Sequence, residues 1–393
     1  MKIHNKLKVL HSTPVWLPQT MTWLYHQVRC LPPEILSHIA CEQTTNLNQF
    51  ALPNIHCSKS NHSVRWLWDY TLNALGLRPY FHNQILVARQ QEVDILHSHF
   101  GDRGWADIEV AQSVGLKHIV TFYGFDVNRL PLLHPKWKTR YARLFDHVDR
   151  VLCEGIHMAD CIRKLGCPSE KIKVHHLGID LEAIPFKPRI WSRGEPLRFL
   201  IAATFREKKG IPYALEALGR MQKDFPMEIT VIGDATQEDR SQMEKGKILK
   251  IMDRYQLHPK IKMMGFQSMN VLFKEAYEHH IFLSPSVTAE DGDTEGGAPV
   301  SILEMLASGM PVVSSRHCDI PSIVHHNKSG FLAEERNVEE LAQHIQWLTH
   351  NPSDWKSLVE NGRRHLEREY DAKTQGIRLA QIYQEIHNQT PVQ

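Results

Sequence analysis

A short segment of the chain combines acidic residues with glycines where a predicted strand gives way to a predicted helix. The residues concerned are Glu295, Gly296, Gly297, Ala298, Pro299 and Glu304. Pro299 suits the first turn of a helix, so Glu304 is predicted within that helix and Glu295 in the loop before it. Glycines let a ligand approach the backbone, and the free N–H groups of a helix start attract an anion.

An ionised carboxylate inside such a helix could accept two hydrogen bonds at once from neighbouring hydroxyls of a sugar. Glu304 is therefore a candidate ligand for a sugar ring. The alternative is that Glu295 and Glu304 are ordinary solvated acids and that the glycines only shape a turn.

A second candidate site is the turn that follows the predicted strand 198–203. It lies at the carboxyl end of that strand and leads into a helix, where open α/β sheets bind ligands. Arg206 and Lys209 could neutralise a diphosphate there, arginine through its planar fork and lysine as a point charge. The alternative is an exposed, solvated lysine pair. The chain has no GxGxxG, which argues against an NAD site of the common type.

The pattern of strands and helices predicts how these sites are positioned. β-branched runs alternate with amphipathic stretches, which favours parallel sheets built from βαβ units. Strands are predicted over 6–12, 34–40, 93–99, 118–122, 149–153 and 172–177, and again over 198–203, 227–234, 260–264, 281–284, 311–315 and 330–334. Helices of the second half are predicted from Pro212, near 239–255, near 269–278 and from Pro299. The pattern predicts two doubly wound, Rossmann-like α/β domains.

The predicted domains are separated by a segment with a different composition. Residues 180–197 hold three prolines, several charges and no clean period, so they are interpreted as a linker. We expect an N-terminal domain over 1–185, a C-terminal domain over 186–370 and a final helix within 371–393. One apolar face of that helix needs a surface to cover, and packing back toward the N-terminal domain is one solution. The face consists of Leu379, Ile382, Tyr383 and Ile386.

Composition excludes several classes of protein. The chain has 393 residues, of which 42% are hydrophobic, and a formal net charge of +2, which excludes a disordered chain and disfavours a general nucleic-acid binder. No apolar run approaches the length of a membrane span or a signal peptide, so a cytoplasmic protein is expected. The seven cysteines lack a CxxC spacing and are interpreted as reduced thiols. The 25 histidines lack a recognised metal-ligand spacing, so solvated or core positions are predicted for nearly all of them.

Several segments share the form and order of motifs in a known family. They are HSHFG (97–101), TFYGFDV (121–127), HHLGIDLEAIPF (175–186), EKKG (207–210), EGGAPVSILE (295–304), GMPVVSS (309–315) and DIPSIV (319–324). Together they resemble glycosyltransferase family 4, retaining enzymes of the GT-B fold, and within it the bacterial colanic acid and amylovoran exopolysaccharide glycosyltransferases. The resemblance runs from about residue 90 to 385. It implies two Rossmann-like domains facing a cleft, an acceptor-binding first domain, a nucleotide-sugar-binding second domain and a C-terminal helix that crosses back.

The resemblance also implies roles for individual residues. Lys209 matches the family's diphosphate lysine, and Glu304 matches the glutamate that holds the nucleotide ribose. Glu295, with the backbone of Gly296 and Gly297, matches the group that grips the transferred sugar and its phosphate.

Three departures from the family pattern bear on these roles. Thr204 stands where the family has its arginine, so Arg206 must substitute if that role is kept. Eight residues rather than seven separate Glu295 from Glu304. Tyr123 occupies the place of the family's histidine near the donor sugar, where it can donate a hydrogen bond but is not an imidazole.

The implied reaction moves a hexose from a UDP- or GDP-sugar to a lipid-linked oligosaccharide, for example on undecaprenyl diphosphate, in exopolysaccharide assembly. Arg206, Lys209 and the helix start at 296–299 could bind the charge that builds on the leaving diphosphate, so no metal and no cofactor are expected. Asp291-Gly292-Asp293 is interpreted as a loop turn. Retention in this family is attributed to front-face attack assisted by the donor phosphate, so no protein base is named. The alternatives are a UDP-sugar 2-epimerase of the same architecture and a sugar-nucleotide-binding protein that has lost catalysis.

The acceptor side is predicted from residues at strand ends of the first domain. They are His99, Arg103, Tyr123, Gly124 and Asp126, with the loop from Trp16 to Thr20. Residues 134–145 interleave basic and aromatic side chains as a membrane-surface helix does, and a plain packing helix has the same pattern. The predicted partners are a nucleotide sugar, a lipid-linked acceptor and the inner face of the membrane, with no nucleic acid.

Overall fold

The computed structural model describes residues 6–17, 21–59, 64–80, 82–297 and 299–389. The chain divides into two compact units, Met1–Gly178 with Asp371–Gln393, and Ile179–Tyr370. The division falls slightly before the predicted boundary at 185/186. All of the segment interpreted as a linker is described, and it holds no helix or strand before Leu197.

The first unit contains a parallel sheet whose strand order, within the described residues, is β3-β2-β1-β4-β5-β6-β7. The strands are β1 (Leu7–Trp16), β2 (Ile35–Thr44), β3 (Ile55–Cys57), β4 (Ile95–His99), β5 (Lys117–Thr121), β6 (Arg150–Cys153) and β7 (Ile172–Val174). The helices are α1 (Thr22–Arg29), α2 (Val64–Ala74), α3 (His82–Gln90), α4 (Gly101–Val114), α5 (Leu130–Leu133), α6 (Lys136–His147) and α7 (Ile156–Lys164). The order reverses between β1 and β4, which opens a crevice at the carboxyl ends of these strands.

The second unit repeats this plan with the strand order β10-β9-β8-β11-β12-β13, again parallel throughout. The strands are β8 (Leu197–Ala202), β9 (Met227–Ile232), β10 (Ile261–Met263), β11 (Ile281–Ser284), β12 (Val312–Ser315) and β13 (Phe331–Ala333). The helices are α8 (Ile211–Met221), α9 (Asp239–Arg254), α10 (Met269–Glu278), α11 (Val300–Ala307), α12 (Ile320–Ile323), α13 (Val338–His350) and α14 (Trp355–Glu369). The order reverses between β8 and β11. β8 precedes the turn that holds Arg206 and Lys209, and β11 precedes the segment that holds Glu295 and Glu304.

Helices cover both faces of the second sheet, and this is why its strands are hydrophobic without interruption. Phe199 and Ile201 of β8 lie in one core cluster with α8 and α13, while Leu200 lies in the other with α11. Successive side chains of a strand point to opposite faces, so a strand covered by helices on both sides is apolar at every position.

The last helix, α15 (Ala372–Asn388), belongs to the first unit. The Asp371 side chain caps it by accepting a hydrogen bond from the Thr374 backbone N–H at 3.0 Å. The predicted apolar face is confirmed, since Leu379, Ile382, Tyr383 and Ile386 are buried against Val9, Ile95 and Ile119 of the first sheet. Gly376 is required on this helix, because a Cβ there would lie 2.0 Å from the Cys30 carbonyl oxygen.

The prediction of two doubly wound, Rossmann-like domains is confirmed. Each predicted strand is present with bounds that shift by a few residues, the largest shifts being the extensions of β1 and β2 at their carboxyl ends. In the part of the chain that the structure describes, no helix combines the length and the apolar character needed to cross a membrane.

Candidate active site

The turn after β8, which holds Arg206 and Lys209, meets the loop that holds Glu295 at the point where β8 and β11 end. The Lys209 ammonium group donates to Glu295 Oε2 at 2.8 Å across 86 positions of sequence, and the Ser286 hydroxyl donates to Glu295 Oε1 at 2.9 Å. Burial favours the neutral carboxyl, yet the ammonium groups of Lys209 and Lys208 bring the pKa of Glu295 below its usual value. Glu295 is therefore an ionised, fixed carboxylate at neutral pH, and not a solvated surface acid.

A glycine turn allows this approach. Lys209 ends a short 3-10 turn, and Gly210 follows with a φ of 63°. A Cβ at Gly210 would lie 1.9 Å from the Pro285 carbonyl oxygen, so only glycine lets the turn after β8 pack on the end of β11.

Two neighbouring cations have other partners. Arg206 donates to Glu238 at 2.6 Å in a half-exposed ion pair, and it borders a cavity of about 210 Å³ that Lys209 does not line. Lys208 donates to Asp293 at 3.2 Å and to the Thr294 carbonyl at 2.9 Å. The structure thus places Lys208 close to Glu295, which sequence reasoning did not foresee, and it turns Arg206 toward Glu238.

The loop before α11 is arranged largely as expected. The helix begins at Val300 after Pro299, and Gly296 has a φ of 79° that favours glycine. The Gly296 N–H donates to the Thr294 hydroxyl at 3.2 Å, and the Gly297 carbonyl accepts from the Asp319 N–H at 3.3 Å. Ala298 lies outside the described residues. Thr204 lies half-buried in the turn after β8.

Glu304 lies in the second turn of α11 and is half-buried. Burial raises the pKa of Glu304 to about 7. A hydroxyl pair that hydrogen-bonds to the ionised carboxylate would lower this pKa again, so ligand binding and ionisation of Glu304 are coupled.

His317 is a residue of this site that sequence reasoning missed. It is 1% exposed, its Nε2 accepts from the Glu295 backbone N–H at 3.1 Å, and its Nδ1 donates to Glu335 at 2.6 Å. Glu335 also accepts from the Thr288 N–H at 2.7 Å, so one His–Glu pair holds the loop 288–295 at both ends. The signal available in the sequence was its position after β12, at the same carboxyl edge as β8 and β11.

The predicted turn at Asp291-Gly292-Asp293 is present, with a hydrogen bond from the Ala289 N–H to the Asp293 carbonyl at 2.9 Å. Both carboxylates are already paired, Asp293 with Lys208 and Asp291 with Arg240. This arrangement suits a turn that orders the loop before Glu295.

The residues predicted on the acceptor side are mostly buried within the first unit. Asp126 accepts from the backbone N–H groups of Gly101 at 2.7 Å and Tyr123 at 3.0 Å, which ties the start of α4 to the loop after β5. Burial raises the pKa of Asp126 to about 7, although the two N–H groups act in the opposite sense. Gly124, with a φ of 111°, lies in the turn between Tyr123 and Asp126.

Arg103 and His99 are held by neighbours of the same unit. Arg103 is 5% exposed and pairs with Glu42 at 2.8 Å and with Asp107 at 3.2 Å. His99 is fully buried and contacts the Tyr123 hydroxyl at 2.6 Å. These contacts give the side chains structural partners, and a role toward an acceptor stays a prediction. Of the predicted loop 16–20, residues 18–20 lie outside the described residues.

Comparisons with known proteins bear on these two units. The family profile described as Glycosyltransferase Family 4 matches residues 50–183, and that described as Glycosyl transferases group 1 matches residues 185–365. The amylovoran biosynthesis glycosyltransferase AmsK of Erwinia amylovora is 33% identical over 301 residues, which cover 75% of this chain and 70% of AmsK. The chain belongs to glycosyltransferase family 4. This glycosyltransferase is also 30% identical to the putative colanic acid biosynthesis glycosyltransferase WcaL of Escherichia coli, over 76% of this chain and 72% of WcaL.

Solved structures show the fold of this family 4 glycosyltransferase. A glycosyltransferase from Rickettsia africae matches with a TM-score of 0.75 at 16% identity, over 98% of this chain and 100% of that chain. HepE from Anabaena, solved in complex with UDP and glucose, matches with a TM-score of 0.72 at 15% identity, over 96% of this chain and 100% of that chain. The twin Rossmann-like architecture is thus that of GT-B glycosyltransferases.

Proposed function

We propose that this glycosyltransferase moves a hexose, with retention of configuration, from a nucleotide sugar to a lipid-linked oligosaccharide in bacterial exopolysaccharide assembly. The observation that carries the proposal is the approach of Lys209 to Glu295, 2.8 Å apart, in the loop that leads into α11. A cation, a fixed carboxylate and a helix start within one loop cluster can hold a phosphate and a sugar side by side.

The chemistry of the reaction fits this arrangement. Breaking a sugar–phosphate bond builds negative charge on the leaving diphosphate, and fixed cations and backbone N–H groups stabilise that charge most in the transition state. Lys209 has three donors, and Glu295 uses one of them, so the remaining two can reach phosphate oxygens. We propose that protein groups meet this charge without a metal, because Asp291 and Asp293 are already paired with Arg240 and Lys208.

Glu295 and Glu304 have different proposed tasks. An ionised Glu295 suits acceptance of hydrogen bonds from the transferred sugar, and its lowered pKa makes it a poor proton donor. Glu304, half-buried on α11, is proposed to accept a hydrogen bond from each of the two ribose hydroxyls of the nucleotide. Arg206 is proposed to reach the diphosphate only after leaving Glu238, which is possible because that ion pair is half-exposed and weak.

The donor and acceptor classes rest on the relatives. HepE was solved with UDP and glucose, which supports a nucleotide sugar of the UDP type as one donor to test. AmsK and WcaL are named for amylovoran and colanic acid biosynthesis, which supports an exopolysaccharide as the product. A lipid-linked oligosaccharide presents its sugar at a membrane surface, so a contact between the protein and that surface is part of the proposal.

The helix α6 is the element proposed to make this contact. Its aromatic residues Tyr141 and Phe145 are buried in the core, so the interleaved pattern is partly that of a packing helix. Lys136 and Lys138 are exposed, and the Arg143 side chain is 53% exposed. The contact is therefore proposed to be electrostatic, between these cations and anionic headgroups.

The test is a panel of donors comprising UDP-glucose, UDP-galactose, UDP-glucuronate, GDP-mannose and GDP-fucose, with calorimetry for binding and product analysis for transfer. We expect one nucleotide class to bind tightly and one sugar to be transferred. Incubation with UDP-N-acetylglucosamine and no acceptor separates the 2-epimerase alternative, since epimerisation needs no acceptor. Tight nucleotide binding with neither transfer nor donor hydrolysis across the panel would contradict the proposal and support a binding protein without catalysis.

A further inference from the structure

Three histidines meet on one face of the first sheet. His11 of β1 and His97 of β4 are register partners on adjacent parallel strands, and His99 lies two positions beyond His97 on the same face. All three are fully buried. One ring nitrogen from each lies within 4.8 Å of a ring nitrogen of the other two. The sheet register therefore builds a three-nitrogen cluster beside the point where the strand order reverses.

The outer contacts of these rings resemble the surroundings of metal-bound histidines. His97 Nε2 contacts the Thr121 hydroxyl at 2.7 Å, and His99 Nδ1 contacts the Tyr123 hydroxyl at 2.6 Å. A ligating imidazole usually has its second nitrogen held in this way, which fixes its tautomer and orientation. Because a hydroxyl holds the outer nitrogen of His97 and of His99, the other nitrogen of each of these two rings faces the cluster.

The shortest inner distance is close to that between two ligands of one small ion. His11 Nδ1 and His99 Nε2 lie 3.1 Å apart. Two nitrogens bound tetrahedrally at roughly 2.0–2.1 Å from a zinc ion lie about 3.3 Å from each other. The Tyr383 hydroxyl of α15 lies 2.6 Å from His97 Nδ1 and offers an oxygen at the same place. Three imidazoles and one oxygen are a common ligand set of zinc proteins.

The protonation state of the cluster also suits a cation. All three rings are buried among neighbours of the first unit, and burial favours the uncharged form of an imidazole. Neutral imidazole is the form that binds metals, and in it one nitrogen of each ring carries a lone pair. Within the described part of the chain, buried His11 Nε2 has no hydrogen-bond partner, so no outer contact fixes the tautomer of His11.

We propose that His11, His97 and His99 bind one divalent transition-metal ion of the zinc type, with the Tyr383 hydroxyl or a water at the fourth position. Imidazole ligands without a carboxylate select such ions over Mg²⁺ and Ca²⁺, which prefer oxygen. The ion would join β1, β4 and α15, so its effect would be on the stability of the first unit.

The test uses the full-length protein without a polyhistidine tag, stripped with chelator and then reconstituted with ZnCl₂ or CoCl₂. We expect one bound metal per chain by elemental analysis and a rise in Tm of about 5–10 °C on reconstitution. With Co²⁺ we expect absorption bands between roughly 500 and 700 nm that are typical of tetrahedral coordination.

The variants are His11→Gln and His97→Gln, which keep a polar side chain of similar length, with circular dichroism to confirm folding. Both are expected to lose the metal and the Tm response to zinc. His56→Ala is the matched control, because His38 and His56 form a similar close pair at 3.2 Å on β2 and β3 without a third histidine. Less than about 0.1 metal per chain in the reconstituted wild-type protein would overturn the proposal, as would full metal content in a folded His11→Gln variant. The first result would show that the cluster is a hydrogen-bonded histidine network only.

Discussion

Glu295 is held at three points, and this defines what its carboxylate can do. Lys209 and Ser286 occupy one oxygen each, and His317 accepts the hydrogen bond of its backbone N–H. A side chain fixed in this way loses little further entropy when it binds a sugar, so it can orient the sugar ring at low cost. Its ionised state persists into mildly acidic solution because its pKa is lowered.

Donor binding is expected to depend on pH through the ionisation of Glu304. Its pKa is raised to about 7 by burial, so the fraction of carboxylate falls as the pH drops below 7, and only the carboxylate accepts two hydroxyl hydrogen bonds. We expect the KM for the donor to rise by roughly tenfold for each pH unit below 7. Steady-state kinetics from pH 5.5 to 8 measure this.

The control for this prediction is Glu304→Gln, which is neutral at every pH. It should show a high KM for the donor that does not change over the same pH range. A wild-type KM that stays constant between pH 5.5 and 8 would mean that Glu304 does not hold the ribose.

His317 is predicted to act through Glu295 as a positioning residue. In His317→Ala the Glu295 N–H loses its acceptor and Glu335 loses a donor, so the 295 end of the loop 288–295 is no longer fixed and the Glu335 side chain that holds the 288 end loses its support. We expect kcat to fall on the order of 10–100-fold, because small displacements of an aligned group are costly, while the Kd of the free nucleoside diphosphate changes little. Kinetics and calorimetry of the folded variant measure the two effects separately.

Glu335→Gln is the companion variant, since its amide oxygen can still accept from His317. It should keep most of the wild-type kcat, unlike His317→Ala. Equal losses in kcat and in nucleotide affinity would indicate a general disruption of the second unit instead.

At the scale of elements, α4 is held to the first sheet by buried polar contacts. Arg103 of α4 contacts Glu42 on β2 and the Ser12 hydroxyl on β1, and it pairs with Asp107 one turn further along α4. Asp107 is fully buried. Such a network fixes the helix relative to the strands, and removing Arg103 leaves the Asp107 carboxylate buried without a compensating positive charge.

We therefore expect Arg103→Met to lower the free energy of unfolding of the first unit by about 3–5 kcal/mol. Urea unfolding followed by circular dichroism measures this. Arg103→Met combined with Asp107→Asn should recover part of the loss, because the uncompensated carboxylate is gone. Wild-type stability in the single variant would show that Arg103 is not needed to stabilise the first unit.

Most elements could be predicted from the sequence because their patterns are local. The apolar runs of β8 to β13, the proline before α11 and the apolar face of α15 are readable from neighbouring residues alone. β3 was not predicted, since Ile55–Cys57 is too short and too polar to show a period. The sequence placed Lys209 at the carboxyl end of a strand but did not predict its contact with Glu295. That contact depends on the packing of Gly210 on Pro285.

Contacts between strands that are distant in sequence could not be predicted. The three-histidine cluster requires β1 to lie beside β4, with His11 opposite His97, and this register is set by the whole sheet. His317 reaches Glu295 only because β12 lies beside β11. Arg206 fits the sequence of a diphosphate ligand, yet its ion pair with Glu238 depends on the start of α9.

At the scale of the whole molecule, a net charge of +2 leaves recognition to local groups. In the first unit the exposed cations of α6 are such a group. Replacing Lys136, Lys138 and Arg143 by glutamine should weaken binding to vesicles rich in anionic lipid by about 100-fold, since each cation near the surface contributes about 1 kcal/mol. Vesicle sedimentation at low and high salt measures this, and wild-type binding should also fall at high salt. Binding that ignores both the salt and the substitutions would contradict an electrostatic contact.

The proposed function requires that Lys209 and the loop before α11 take part in sugar transfer. The most direct measurement is the transfer of labelled sugar from the donor panel to a lipid-linked oligosaccharide by the wild-type protein and by Lys209→Ala, with Lys208→Ala as the matched neighbour. We expect transfer from at least one donor, a loss of kcat/KM of about 100-fold or more in folded Lys209→Ala, and a smaller loss in Lys208→Ala. Turnover of Lys209→Ala within a few-fold of the wild type would contradict the account.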